Sequence, residues 1–270
     1  MFATTVIMES KQGLACLAVA ALVFGAGCSG FLGSTESTAT PGTATNATAS
    51  APSVAANGSL DAAALFAMHN DTVRSAETFT LVGTVGGVID TTMRANVTSG
   101  EIRATIEQAQ GDNVTAVYVD EAGTQYTRVV TGSGTDYYVI DRADDAPDDV
   151  WQVTVRPDEN PLGSATIRPI TATDWTYQGT TTDDGTTVRR FTASGLDATD
   201  QYDASTASSF SAELLVDPGR AIRTLNTTVT RPGKNGTTER FSIVVQYSEF
   251  GSTAVDAPDW TDEARAQAGG

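Results

Sequence analysis

The chain offers little material for catalysis. Among 270 residues there is one histidine, His69, and there are two cysteines, Cys16 and Cys28. A Ser–His–Asp triad would have to use His69, and no G-x-S-x-G nucleophile elbow is present. A Ser–Lys dyad would have to use Lys234, which sits in the Gly-rich turn Pro232-Gly-Lys-Asn-Gly236. One histidine and no spare thiol cannot build a zinc site. The densest acidic group is Asp141, Asp144, Asp145, Asp148 and Asp149. Its spacing is not that of an EF-hand loop, so it reads as a solvated acidic loop. The 33 Asp and Glu residues offer many carboxylate pairs for glycoside hydrolysis, and nothing singles out two of them. No Gly-rich phosphate loop follows a strand and opens a helix. The expectation is a protein that is not an enzyme and uses no cofactor or metal.

The chemistry that does stand out is at Cys28. Residues 13–24 read GLACLAVAALVF, an unbroken run of apolar and small residues. That is short of the roughly 20 residues a spanning helix needs, and it has the length of a signal-peptide core. Lys11 is the only basic residue before it, and either Met1 or Met8 could be the start. The run ends in Gly25-Ala26-Gly27-Cys28, which resembles a lipobox, although Gly25 stands where Leu is usual. Cleavage there leaves Cys28 as the first mature residue, with its thiol carrying lipid. The other reading is a plain secretory signal with a chance cysteine. Two acyl chains anchor stably where one does so only marginally. The expected location is therefore the extracellular face of the cell membrane, with the lipid on Cys28 as the contact.

Residues 34–58 follow as a tether. Seventeen of these 25 residues are Ser, Thr or Ala and none is aromatic, so the segment cannot bury enough surface to offset its ordering entropy. Asn46, Asn57, Asn70, Asn96, Asn113, Asn226 and Asn235 each open an N-x-S/T sequon and are candidate glycosylation sites. Charge fits the same setting. The net charge is −17, and only Lys11 and Lys234 are lysines against fourteen arginines. An acidic, Lys-poor surface suits concentrated brine, where the Debye length falls to about 3 Å and self-repulsion is screened. The same balance argues against a nucleic-acid partner, whose phosphates require clustered Lys and Arg.

The folded part is expected at 59–262, after a signal peptide at 1–27 and a lipid-anchored stalk at 28–58, with 263–270 as a tail. Asp61 to Ala76 reads as a helix, with Ser59 as its cap, Asp61 in its first turn, and Leu65, Met68, Thr72 and Val73 near one face beside Phe66. Residues 197–208 are a weaker second helix. From Glu77 onward the pattern alternates. Ile102, Ala104 and Ile106 interleave with Arg103, Thr105 and Glu107, and Gly- and Asp-rich turns punctuate about ten short strands.

Several of these pieces are similar to the LolA/LppX-like lipoprotein carriers. They are Trp175-Thr-Tyr177-Gln-Gly179, Val188-Arg-Arg-Phe191, the segment from Ala212 through Asp217-Pro-Gly219 to Ile222, and the ending Val245-Gln-Tyr247 to Phe250-Gly251 before Trp260. The chain also resembles surface lipoproteins of haloarchaea. The resemblance implies an α+β fold, a large curved antiparallel sheet forming a half-barrel with an N-terminal helix on its concave face. It also implies acyl chains held between sheet and helix. The expected function is a cell-surface lipoprotein that binds a hydrophobic ligand, a lipid, without catalysis. Leu65, Phe66 and Met68 would form one wall of the site, with Tyr138 and Trp151 among the facing aromatics. The alternative is an envelope glycoprotein with a filled core that binds a partner protein of unknown identity.

Overall fold

The structure is a computed structural model that describes residues 60–108, 113–141, 169–217, 221–233 and 236–268. The segments expected as signal and stalk, including Cys28, Asn46 and Asn57, lie outside these residues, as do Trp151, Asn235 and the acidic residues from Asp144 to Asp149.

Helix α1 spans Ala62–Ala76. Asp61, placed by sequence in the first turn, is its N-cap: Oδ1 accepts the Ala64 N–H at 3.0 Å. That satisfies one of the four donors a helix start leaves without an internal partner. The helix ends where Glu77 turns to φ 66° and its N–H donates back to the carbonyls of Val73 and Arg74. Leu65, His69 and Val73, four residues apart, form the fully buried stripe. Met68 and Thr72, expected on that stripe, are half-buried beside it.

Eleven strands follow: β1 Thr78–Val85, β2 Ile89–Asn96, β3 Ile102–Gln108, β4 Val114–Val119, β5 Gln125–Thr131, β6 Gly134–Ile140, β7 Thr176–Asp183, β8 Thr186–Ser194, β9 Ser209–Val216, β10 Ile222–Pro232 and β11 Thr238–Ser248. They form one open antiparallel sheet in the order β6-β5-β4-β3-β2-β1-β11-β10-β9-β8-β7. Two meanders are thus joined along β1 and β11, where Leu81 pairs with Tyr247. Each turn has a local cause. Between β7 and β8, Asp184 and Gly185 take φ 44° and 77°, the positive values a tight two-residue hairpin requires. Residues 197–208 do not form a second helix. A short 3-10 turn covers Leu196–Ala198, and the chain then makes turns in which the Asp203 carboxylate accepts from the backbone of Ser205 and Thr206. An acidic or hydroxyl side chain that bonds its own backbone in this way competes with helix.

Alternation sorts the side chains onto two faces. The inner face, toward α1, carries Phe79 and Leu81 on β1, Ile102, Ala104 and Ile106 on β3, Leu214 on β9 and Leu225 on β10, all in one buried cluster with Leu65 and Val73. Trp175, ahead of β7, is buried there too and donates its indole N–H to the Ile170 carbonyl at 3.0 Å.

The outer face has its own cover. Residues 263–268, read from sequence as a tail, belong to a second helix, α2, at Thr261–Ala268. Ala264 of α2 packs with Tyr118 and Tyr126, and Tyr137, Val139, Val255 and Trp260 close around them. Arg265 lies over the Tyr126 ring and donates to its hydroxyl at 3.2 Å, while the Tyr137 hydroxyl donates to Glu263. An aromatic patch with two hydroxyls can anchor a polar helix that has almost no apolar face of its own.

Candidate functional site

The site expected from sequence is the space between α1 and the inner face of the sheet. Leu65 is fully buried in the core cluster, and Phe66 packs on that cluster while half-exposed. Met68 is half-buried one turn from Leu65. Leu65 and Phe66 are thus on the sheet-facing side of α1, whereas Met68 is not among the residues packed on the core. Tyr138 stands apart from them on β6. It pairs with Thr127 of β5, and the register sets it on the opposite face from Tyr137, which belongs to the outer patch under α2. Trp151 is outside the described residues.

The aromatics therefore divide. Phe79, Phe191, Phe210 and Tyr247 line the inner face, while Tyr118, Tyr126, Tyr137 and Trp260 serve the outer one. Along the inner face the chemistry changes with strand number. It is mainly apolar from β1 to β4 and from β8 to β11, with Thr91 and Thr227 buried among the apolar side chains, and it turns polar on β5, where buried Gln125 donates to buried Thr127 at 2.9 Å.

His69 is the residue whose position the sequence left open. Its ring is fully buried, and Nδ1 accepts the backbone N–H of Ile222 at 3.0 Å. Ile222 opens β10 at a register shift, so an N–H that leaves the ladder finds its acceptor on α1. The bond fixes the neutral tautomer with the proton on Nε2, and Nε2 has no hydrogen-bond partner. The ring stands edge-on to Tyr247, with centroids 4.9 Å apart, and to Phe250 at 6.4 Å. With aromatic neighbours, burial pushes its pKa down to about 3. The group is a neutral clamp between helix and sheet. The spacing Leu65-His69-Val73 was the available signal for it.

Among the described residues, no group of three or more His, Cys, Asp or Glu side chains could hold a metal ion. Tyr118 is the other strongly perturbed group. Burial first, then the hydroxyl's bond to Glu101 at 3.0 Å, raises its pKa. A phenol held neutral on the outer face serves packing.

Of the sequons, Asn70 lies on α1, half-buried, with its Oδ1 buried and unpartnered. Asn96 closes β2, Asn113 precedes β4, and Asn226 lies in the middle of β10. No helix among the described residues is long and apolar enough to cross a membrane.

A search of curated proteins finds no match. Among solved structures the chain is similar to LprF from Mycobacterium bovis, at 14% identity over 73% of this chain and 97% of that one, with a TM-score of 0.41. It is similar to the lipoprotein LppX of Mycobacterium tuberculosis, at 14% identity over 72% and 98%, with a TM-score of 0.32. A putative outer membrane lipoprotein-sorting protein domain from Vibrio parahaemolyticus gives 8% identity over 70% and 92%, with a TM-score of 0.22. Residues 13–264 match the family of unknown function DUF7537, so that the match takes in the apolar run at 13–24, α1, the eleven strands of the described residues and the first turn of α2, and the chain belongs to this family.

Proposed function

We propose that this protein is a non-catalytic lipoprotein of the outer cell surface, held by lipid on Cys28, that binds a lipid on the inner face of its sheet. The observation that carries the reading is the extent of that face. Eleven strands at about 4.8 Å each make a sheet roughly 50 Å wide. A helix with its side chains is about 10–12 Å across, so α1 alone spans two or three strands. Yet the apolar residues of the inner face run over eight strands, β1 to β4 and β8 to β11, and they are buried well beyond the reach of α1. Such a surface matches an acyl chain, whose affinity would come from burying apolar area at about 25 cal/mol per Å². Polar Gln125 and Thr127 on β5 would set where the apolar path ends.

Phe66 tests this, because it is on the sheet-facing side of α1 without being sealed in the core. Phe66→Asp should abolish lipid retention while the protein is still exported. Unchanged retention would remove Phe66 from the site.

The second reading is an envelope protein with a filled core that binds a partner protein. What favours it is the depth of burial on the inner face, where Leu65, Phe79, Phe191, Leu214 and Tyr247 are at most 1% exposed.

A further inference from the structure

Four sequons fall within the described residues, and the fold treats them differently. Asn70 and Thr72 are in helical backbone, where the Thr72 hydroxyl donates to the Met68 carbonyl at 2.8 Å. Asn226 and Thr228 are in an interior strand, with register partners on both sides: Val244 and Ser242 of β11, Glu213 and Ser211 of β9. Asn113 is exposed, but its Nδ2 donates to Gln108 at 3.4 Å and its Thr115 is in the ladder between β3 and β5.

Asn96-Val97-Thr98 is arranged otherwise. It sits at the β2–β3 turn. Oδ1 of Asn96 accepts the N–H of Thr98 at 2.9 Å and of Ser99 at 3.1 Å. Both bonds use the oxygen, so neither occupies Nδ2. Val97 is buried and anchors the turn, while Thr98 is exposed. The local bond from side chain to backbone holds the hydroxyl residue two positions on at the same tip as the amide. A transferase needs that combination: a nitrogen not engaged in the fold and a Thr it can reach without opening the sheet.

We propose that, among the four sequons of the described residues, Asn96 is the one that carries N-glycan, and that Asn70 and Asn226 stay unmodified in the folded protein. In the transfer, Nδ2 forms a bond to the anomeric carbon of a sugar activated on a lipid phosphate. The bond from that carbon to the phosphate oxygen breaks, the lipid phosphate leaves, and the amide gives up one proton to a base of the transferase. The proposal rests on the surface location given above and not on lipid binding.

Digestion provides the test. Trypsin cutting after Arg94 and Arg103 releases residues 95–103 with Asn96 as the only asparagine, and, since Pro232 blocks cutting after Arg231, cutting after Arg223 and Lys234 releases 224–234 with Asn226 alone. The full-length chain is expressed with its leader in a halophilic host whose own surface glycoprotein is confirmed to carry N-glycan. The expected result is peptide 95–103 carrying a glycan mass and peptide 224–234 without one. Asn96→Asp keeps an oxygen for the turn and Thr98→Ala keeps both backbone bonds, so each should fold and lose that one glycan. Exported protein whose 95–103 peptide is only unmodified would overturn the proposal and leave the surface location standing. Protein kept in the cytosol with its leader intact would overturn the location, and this proposal with it.

Discussion

Replacing His69 by Asn should flatten the acid side of the protein's stability profile. Nδ1 of His69 accepts from Ile222 in a site sealed by Tyr247 and Phe250, and burial holds its pKa near 3 against 6.5 for a free histidine. The unfolded chain therefore binds this proton between pH 6.5 and 3 while the folded chain does not. Its contribution to stability is complete above pH 6.5 and is lost progressively as pH falls toward 3. From those two values, lowering pH from 7 to 5 costs the folded state about 2 kcal/mol through this group alone. For a domain of this size that is about 4–8 °C in Tm. Carboxylates also titrate in this range, so the comparison is with His69→Asn, whose amide oxygen can replace Nδ1 as acceptor and does not titrate. Thermal unfolding of both proteins in constant high salt at pH 7, 6 and 5 reads the difference. The gap between wild type and variant should close by about 2 kcal/mol over this range. Parallel profiles would refute the placement of His69 as a neutral buried clamp.

Three further outcomes follow from the packing and the leader. Leu65→Ala removes a fully buried side chain from between α1 and the sheet, and should cost about 2–5 kcal/mol in denaturant unfolding. Trp260→Ala takes away the ring beneath Arg128 and beside Tyr137. It should cost about 2 kcal/mol, and hydrogen exchange should rise in α2 while α1 stays protected. Cys28→Ser should move the protein from the membrane fraction to the medium, or leave it as an unprocessed precursor; a processed, membrane-bound variant would contradict lipidation.

Much of this architecture was legible along the chain. Ile102, Ala104 and Ile106 announce an inner face by alternation alone, and Asp183-Asp184-Gly185 announces a hairpin. What could not be read was anything set by distant pairing. Nothing local says that β11 lies beside β1, since that contact joins residues about 170 positions apart. The same limit hid the division of the aromatics. Tyr137 and Tyr138 are neighbours in sequence, and only the register of β5 and β6 sends one to the outer patch and the other inward. α2 was missed because its eight residues, Thr-Asp-Glu-Ala-Arg-Ala-Gln-Ala, bury only Thr261 and Ala264. A helix that short is marginal by propensity and is held by tertiary contacts with Tyr126 and Tyr137. Among the residues proposed for the site, helical spacing put Leu65, Phe66 and Met68 on one helix, and the structure buries Leu65 and packs Phe66 on the core. His69 was passed over because the sequence shows its titratable ring and not the Ile222 N–H that needs an acceptor.

The central claim is lipid on the inner face, and native mass spectrometry with lipid extraction tests it most directly. The full-length chain is purified in high salt from a halophilic host. A lipid held at one per chain, additional to the covalent lipid and lost in Phe66→Asp, is the predicted result. A mass without ligand, with no uptake when the protein is incubated with host lipid extract, would contradict it and favour the filled-core surface protein.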